Sequence, residues 1–210
     1  MADVIGVLGT GHMGGGLARE AARAGRRVLV GSRDIARAER VRRDVRARFP
    51  GATVFAGDHA DAVNGADLLL LAVPFPAAAG VLTELRQALV GKVLVDMSNP
   101  FGALPPDRSA AEEHAAMLSA GTAVVAAFKT NFSDLLDPAN RGGAVYDVHL
   151  AADERHPRER VAAFIIDIGL RPVDCGPLAS ARVLDAMVPL LVEMDRRFGN
   201  NRRSAWAWTP

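Results

Sequence analysis

The chain has 210 residues, half of them hydrophobic, and a formal net charge of +1. This composition is typical of a compact globular protein, and the near-neutral charge argues against a nucleic-acid-binding surface. No apolar run approaches the roughly 20 residues that span a bilayer, and the N-terminal residues do not resemble a signal peptide. Cys175 is the single cysteine, which excludes a disulfide within the chain. We therefore expect a cytoplasmic protein.

The first informative pattern lies within residues 4–33. An apolar run at 4–8 is typical of a buried strand, and it leads into glycines with G-x-G-x-x-G spacing. A helix over 13–24 and a strand over 27–30 are predicted to follow. This order predicts a βαβ unit whose glycine loop and first helical turn bind the pyrophosphate of a dinucleotide. The predicted cofactor contacts in this loop are Gly9, Thr10, Gly11, His12, Met13 and Gly14. His12 could touch phosphate or substrate, but an ordinary polar loop position is the simpler interpretation.

The residues after the second strand indicate which dinucleotide is bound. An acidic side chain is expected there when the ribose is unphosphorylated. The chain has Gly31-Ser32-Arg33 instead, and a hydroxyl with a guanidinium suits a 2′-phosphate. We therefore predict NADP(H). Arg37 lies one helical turn beyond Arg33 and could reach the same phosphate, although most arginines of this segment fit the solvated face of a helix.

Strand-like and helix-like segments alternate through the rest of the chain. The segment 67–73 is a continuous apolar run, typical of a central parallel strand that is buried on both faces. The alternation predicts an α/β fold, namely a Rossmann-like, doubly wound, mostly parallel sheet with helices on both faces. The further predicted strands are 53–56, 92–96 and 122–128, and the predicted helices are 35–48, 58–64, 77–89 and 109–119.

The C-terminal third is predicted to add strands and helices to this unit. The expected elements are a loop or broken helix at 131–143, strands at 144–151 and 170–174, and helices at 157–168 and 178–198. Pro189 should kink or break the last helix. We expect a single NADP-binding domain over 1–198 with a C-terminal strand–helix extension, and a tail over 199–210 that contains Trp206 and Trp208.

One face of the predicted last helix is apolar, through Val183, Met187, Leu190, Leu191 and Met194. This face favours a homodimer, but packing of the helix on its own sheet explains it equally well.

Ligands of open α/β sheets bind beyond the carboxyl ends of the strands. Predicted strand ends contribute Ala72, Val73, Pro74 and Phe75, and then Asn99 and Pro100, as further cofactor contacts. Met97 and Ser98 belong to the same strand end as Asn99, and the Ser98 hydroxyl could also hold the nicotinamide or its ribose. Pro74-Phe75 and Asn99 are equally compatible with ordinary turns. The last strand end contributes Phe128, Lys129, Thr130 and Asn131 as substrate contacts.

Lys129 is the candidate catalytic residue. It directly follows a buried strand, so it could bind an anionic group or donate a proton, or it could be an ordinary loop lysine. The histidines are scattered without metal-ligand spacing, so no metal site is predicted.

Five motifs carry a resemblance to a known family. They are G-T-G-H-M-G at 9–14, V-G-S-R at 30–33, L-A-V-P-F at 71–75, S-N-P at 98–100 and V-V-A-A-F-K-T at 124–130. Together they resemble the NADPH-dependent coenzyme F420 reductases, also called F420H2:NADP+ oxidoreductases, over nearly the whole chain. The reductase domains of the STEAP metalloreductases look related.

The resemblance implies hydride transfer between NADP(H) and the deazaflavin coenzyme F420 in one cleft, with Ser32 and Arg33 on the 2′-phosphate. The family commonly carries A-F-N-T where this chain has Phe128-Lys129-Thr130, so Lys129 replaces an asparagine. Two other functions fit the residues. One is reduction of a small carbonyl or imine with Lys129 or His12 as proton donor, and the other is a non-catalytic NADPH-binding sensor.

Overall fold

The computed structural model describes residues 4–209. Its main sheet has six parallel strands in the order β3-β2-β1-β4-β5-β6. The strands are β1 (Ile5–Leu8), β2 (Val28–Gly31), β3 (Val54–Gly57), β4 (Leu68–Leu71), β5 (Val93–Asp96) and β6 (Ala123–Ala126). Strand order reverses between β1 and β4, as in a doubly wound sheet, so the predicted fold class is confirmed.

Seven helices accompany the strands in the described residues. They are α1 (His12–Arg23), α2 (Ile35–Arg48), α3 (His59–Asn64), α4 (Phe75–Leu85), α5 (Ala110–Met117), α6 (Arg155–Asp167) and α7 (Ala181–Phe198). Buried residues of α1, α2 and α6 pack on one face of the sheet, and those of α3, α4, α5 and α7 pack on the other. No helix within residues 4–209 is long and apolar enough to cross a membrane.

The central strand β4 explains why the sheet has two cores. Its four leucines are all fully buried; Leu68 and Leu70 belong to one apolar cluster, while Leu69 and Leu71 belong to the other. Successive side chains of a strand point to opposite faces, so an unbroken apolar run is what burial on both faces requires.

The carboxyl ends of the strands are level. Leu8 pairs with Gly31 on one side and with Leu71 on the other, Leu71 pairs with Asp96, and Asp96 pairs with Ala126. The loops that follow β1, β2, β4 and β5 therefore leave the sheet side by side, which brings the predicted binding segments together.

The C-terminal elements form a small second sheet. β7 (Asp147–Leu150) and β8 (Arg171–Asp174) pair with each other in parallel, and an antiparallel bridge between Ala126 and Ala151 joins them to the end of β6. Residues 131–143 contain two short 3-10 turns. Helix α7 runs through Pro189 without interruption, so the predicted break does not occur. Pro189 lies on the exposed side of the helix, where its ring is accommodated, and its missing N–H withdraws the helical donor from the carbonyl of Asp185.

The tail after α7 lies against the protein. The buried carboxylate of Asp195 accepts hydrogen bonds from the backbone N–H groups of Arg202, Arg203 and Ser204 at 2.8–3.1 Å. Further along, the backbone N–H of Trp208 donates to Asp147 at 2.6 Å, and Arg171 donates to the Trp208 carbonyl at 2.6 Å. These contacts fix the tail beside the β7–β8 sheet.

Candidate active site

A cleft of about 570 Å³ opens at the level ends of β1, β2, β4 and β5. Its volume lies within the usual range of small-molecule sites. The predicted residues that line it are Gly9, Thr10, Gly11, His12, Met13, Ser32, Arg33, Arg37, Ala72, Val73, Pro74, Phe75 and Asn99. The structure thus brings most of the predicted cofactor contacts to one surface.

The three motif glycines have different local roles. Gly9 has φ +122°, and a Cβ there would lie 2.5 Å from the carbonyl oxygen of Ala72. A Cβ on Gly14 would lie 2.2 Å from the carbonyl oxygen of Gly9, so Gly14 serves the packing of α1 on β1 and does not line the cleft. A Cβ on Gly11 would meet no atom within 4 Å, which leaves open space where a phosphate can approach the backbone.

The first turn of α1 supplies donors for an anion. Gly11 is the N-cap residue, no side chain caps the helix, and no acidic residue lies in the first turn. The first backbone N–H groups of a helix have no acceptor within it, and they carry the positive end of its dipole. The glycine loop and α1 therefore offer the arrangement of donors that binds phosphate at helix N-termini.

The end of β2 presents an unpaired arginine, and the carboxylate of the next residue in sequence is engaged elsewhere. Arg33 is exposed at the cleft and forms no ion pair with any residue of the described chain. Asp34 caps α2 by accepting the N–H of Ala36 at 3.0 Å, and it pairs with Arg37 at 3.3 Å. Ser32 presents its hydroxyl beside Arg33, so a hydroxyl and a free guanidinium face the position of a ribose 2′-substituent.

The cleft contains three residues that the sequence-based site did not include: His59, Pro76 and Phe101. Met97 and Ser98, which follow β5 directly in one of the predicted strand-end segments, also line the cleft. His59 is the first residue of α3, whose N-cap is Asp58. Burial lowers the pKa of His59 below its usual value, and nearby Arg33 lowers it further against the opposing effect of Glu84.

Asn99 carries an unsatisfied acceptor in the wall of the cleft. Its Nδ2 donates to the carbonyl of Lys129 at 3.2 Å, whereas its buried Oδ1 has no hydrogen-bond partner within residues 4–209. Buried polar atoms are rarely left unpaired, so Oδ1 is available to an amide of a bound molecule. A nicotinamide cofactor carries such an amide, and this orphaned atom fits it.

Four other predicted site residues lie away from the cleft. Pro100 is half-buried but is not part of the lining. Phe128 is buried with φ +59° and packs edge-on against Phe164. Thr130 lies 3.3 Å from His149, and Asn131 donates to the carbonyl of Asp147 at 2.8 Å. The prediction that 128–131 lines the cleft is wrong, because the chain turns towards α6 and β7 after the end of β6.

Lys129 requires the same correction. Its side chain is fully buried, and its ammonium lies 2.9 Å from Asp185 and 3.5 Å from Asp96. It also donates a 2.6 Å hydrogen bond to the carbonyl of Ser98. The expectation that this ammonium faces a substrate is therefore wrong. A role of Lys129 in proton transfer is not tested by these contacts.

Comparison with known proteins assigns the family. The family profile described as NADP oxidoreductase, coenzyme F420-dependent, matches residues 4–100. An F420-dependent NADP reductase of Methanothermobacter marburgensis is 35% identical over 207 residues, which span 91% of this chain and 92% of that protein. The chain belongs to the F420-dependent NADP oxidoreductase family.

A protein of known structure shares the fold, and a further relative is similar in sequence. A solved protein of Arthrobacter sp. FB24, provisionally named an F420-dependent NADP reductase, superposes with a TM-score of 0.84 at 24% identity, over 99% of this chain and 100% of that one. At that identity the likeness speaks for the fold. The rat metalloreductase STEAP3 is 32% identical over 90% of this chain but only 37% of its own length. The predicted family and its relation to the STEAP reductases are both confirmed.

Proposed function

We propose that the protein is an F420-dependent NADP reductase, an enzyme that transfers hydride between NADP(H) and coenzyme F420. The observation that carries the proposal is the end of β2, where Arg33 is unpaired and the adjacent carboxylate of Asp34 is bound to a helix terminus. This arrangement favours a 2′-phosphate over an unmodified ribose. The second substrate follows from the family, since the M. marburgensis relative is 35% identical over nearly its whole length.

The residues of the cleft supply binding and orientation. The N–H groups of the glycine loop and α1 would hold the pyrophosphate, Ser32 and Arg33 the 2′-phosphate, and Asn99 the carboxamide. When both cofactors are bound, the chemistry is hydride transfer between two rings. Such a transfer depends on distance and orientation more than on an acid or a base. The absence of Lys129 from the lining is consistent with this requirement.

The decisive assay mixes purified protein with NADPH and oxidised F420 and follows the absorbance of both. We expect equal rates of loss, and much slower loss when NADH replaces NADPH. Oxidation of NADPH by a small carbonyl or imine without F420 turnover would replace the proposal with the carbonyl reductase function, for which Lys129 and the exposed His12 are the candidate donors. Tight NADPH binding with neither reaction would indicate a sensor.

A homodimer in the cytoplasm is part of the proposal. On α7, Leu184 belongs to the protein's own core, and Val188 and Leu191 are buried as well. The adjacent stripe of Val183, Leu190 and Met194 is 62%, 53% and 38% exposed. Packing on the sheet therefore does not account for this stripe, and a second copy of the chain is the occupant we propose. Light scattering of the purified protein should give twice the mass of 22.2 kDa.

A further inference from the structure

A buried ionic cluster lies directly beneath one wall of the cleft. It consists of Asp96 at the end of β5, His114 of α5, Lys129 after β6 and Asp185 of α7. The side chains of Asp96 and Lys129 have no exposed surface. Charges so deeply buried are costly unless they are paired and hydrogen-bonded, so the cluster must hold a defined geometry.

Ser98, which lines the cleft, is held by opposite charges at its two backbone polar groups. The Asp96 carboxylate accepts hydrogen bonds from the Ser98 backbone N–H at 2.9 Å and from its hydroxyl at 2.8 Å. The Lys129 ammonium donates to the Ser98 carbonyl at 2.6 Å. Because charge-assisted hydrogen bonds are short and directional, this pair fixes the backbone of Ser98 from below.

Two further cleft residues are attached to the same cluster. The side-chain amide of Asn99 donates to the backbone carbonyl of Lys129 at 3.2 Å. The ring of Phe75 lies 5.5 Å from the ring of His114, whose Nδ1 is 3.4 Å from Asp96. Phe75, Ser98 and Asn99 thus all contact residues of this one buried cluster.

The backbone next to Lys129 is also held in an uncommon conformation. Phe128 has φ +59°, which bulky residues rarely adopt. Such a conformation persists only where the surrounding structure determines it, and the buried contacts of Lys129 supply that constraint. Asp185 links the cluster to α5 as well, since it accepts the N–H of Ala110 at 2.9 Å.

Phe75, Ser98 and Asn99 form one wall of the cleft. The strand order identifies which half of the cofactor this wall would contact. The 2′-phosphate site lies at β2, on one side of the glycine loop that follows β1. β4 and β5, which carry Phe75, Ser98 and Asn99, lie on the other side of β1. With the pyrophosphate at the glycine loop, the nicotinamide half must extend over β4 and β5.

We propose that Lys129 and Asp96 are positioning residues, which set the wall that orients the nicotinamide half of NADP(H) without touching it. The inference rests on the proposed function for the identity of the cofactor. It assigns a role to the lysine that replaces the family's asparagine. It also predicts that disturbing the cluster affects one half of the cofactor and spares the other.

The test compares two ligands by calorimetry. NADP+ fills both halves of the cleft, whereas 2′,5′-ADP carries the 2′-phosphate but lacks the nicotinamide. For Lys129→Gln we expect NADP+ to bind about tenfold more weakly and 2′,5′-ADP to bind within about twofold of the parent. In turnover with F420 at saturating NADPH, kcat should fall at least as much.

Lys92→Gln is the matched control, because Lys92 is the only other lysine of the chain. Like Lys129, Lys92 donates to a backbone carbonyl, that of Ala66 at 2.7 Å, and pairs with an aspartate, Asp67 at 3.6 Å. These contacts lie at the amino-terminal ends of β4 and β5, away from the cleft. Lys92→Gln should leave both affinities unchanged. A second variant, Asp185→Asn, removes the ion pair yet keeps an oxygen for the N–H of Ala110, and it should lower NADP+ affinity selectively even if Lys129→Gln does not fold.

Equal weakening of both ligands, or no weakening of either, in the folded variants would overturn the positioning role. These affinities do not depend on the second substrate. A parent protein without F420 turnover would contradict the proposed function, whereas the ratio of the two affinities would still decide the role of Lys129.

Discussion

Arg33 and Asp34 are neighbours in sequence but serve different structures. Arg33 remains unpaired at the cleft, whereas Asp34 caps α2 and pairs with Arg37. We therefore expect selectivity for a 2′-phosphate to depend on two features. One is the arginine at position 33, and the other is the orientation in which the helix holds the Asp34 carboxylate. The N-terminal geometry of α2 provides that hold, because an N-cap carboxylate gains both a hydrogen bond and a favourable helix dipole.

The first prediction concerns the charge at this position. Arg33→Asp should weaken NADPH binding by at least about a hundredfold, because a charge-assisted bond is lost and a repulsion is introduced. NADH affinity should change far less. Arg43→Asp makes the same charge change at an exposed position of α2 outside the cleft lining and should leave the ratio intact. Equal weakening of NADPH and NADH in Arg33→Asp would rule out the 2′-phosphate assignment.

The second prediction separates two glycines of one motif. Gly9→Ala should lower the melting temperature by several degrees, since its φ of +122° and the 2.5 Å approach to Ala72 leave no place for a Cβ. Gly11→Ala should leave the melting temperature nearly unchanged, because no protein atom lies within 4 Å of its Cβ. It should instead weaken NADPH binding by filling the space of the phosphate. Thermal melts and titrations of the two variants would show the opposite pattern if these roles were exchanged.

At the scale of elements, the sequence predicted most where local chemistry decides the structure. Helix α2 was predicted with its observed bounds, because Asp34 caps it and Pro50 prevents its continuation. Helix α4 begins two residues earlier than predicted, since Pro76 suits a first helical turn. The parallel strands are recognisable as apolar runs. The predicted strands 67–73 and 122–128 nevertheless extend beyond the observed β4 and β6.

The misplaced side chains depend on contacts that are distant in the chain. The buried ammonium of Lys129 pairs with Asp185, which lies on the last helix, α7, far from Lys129 in the sequence. The rule that ligands bind beyond the carboxyl ends of parallel strands places a residue close to the cleft. It does not determine whether the side chain points into the cleft or into the protein interior. The same limit applied to Thr130 and Asn131, whose partners His149 and Asp147 belong to a separate sheet.

The third prediction belongs to α7. Leu190→Asp puts a charge in the centre of the exposed apolar stripe, where burial against a second copy would be costly. Light scattering should then report a monomer, with the far-ultraviolet circular dichroism unchanged. Arg197→Asp, a charge change on the solvent-exposed end of the same helix, should leave the dimer intact. A dimer that persists in Leu190→Asp would place the interface elsewhere.

Across the whole molecule, two carboxylates hold the C-terminal tail. Hydrogen bonds from Arg171 lower the pKa of Asp147 below its usual value of 3.8, despite some desolvation. Burial alone would raise the pKa of Asp195, but backbone hydrogen bonds from Arg202, Arg203 and Ser204 lower it overall. A lowered pKa in the folded chain means that docking is stabilised above about pH 4 and loses this stabilisation as the pH falls through the lowered values.

The fourth prediction uses the two tryptophans of the chain, which both lie in the tail. Acidification through the lowered pKa values of Asp147 and Asp195 should shift tryptophan emission to longer wavelength as the tail leaves the surface. Asp147→Asn should show part of this shift already at pH 7, because the bonds to Arg171 and Trp208 are weakened. Far-ultraviolet circular dichroism serves to separate tail release from global unfolding. An emission maximum that moves only together with the loss of helix would contradict a separately anchored tail.

The bond between Asp147 and Trp208 also joins residues 61 positions apart. This bond connects the beginning and the end of a segment that contains α6, β8 and α7. Elements closed in this way tend to open together, as one cooperative unit. We expect their amide protons to exchange with solvent at a common rate, and that rate should rise for all three elements when only the last residues of the tail are removed.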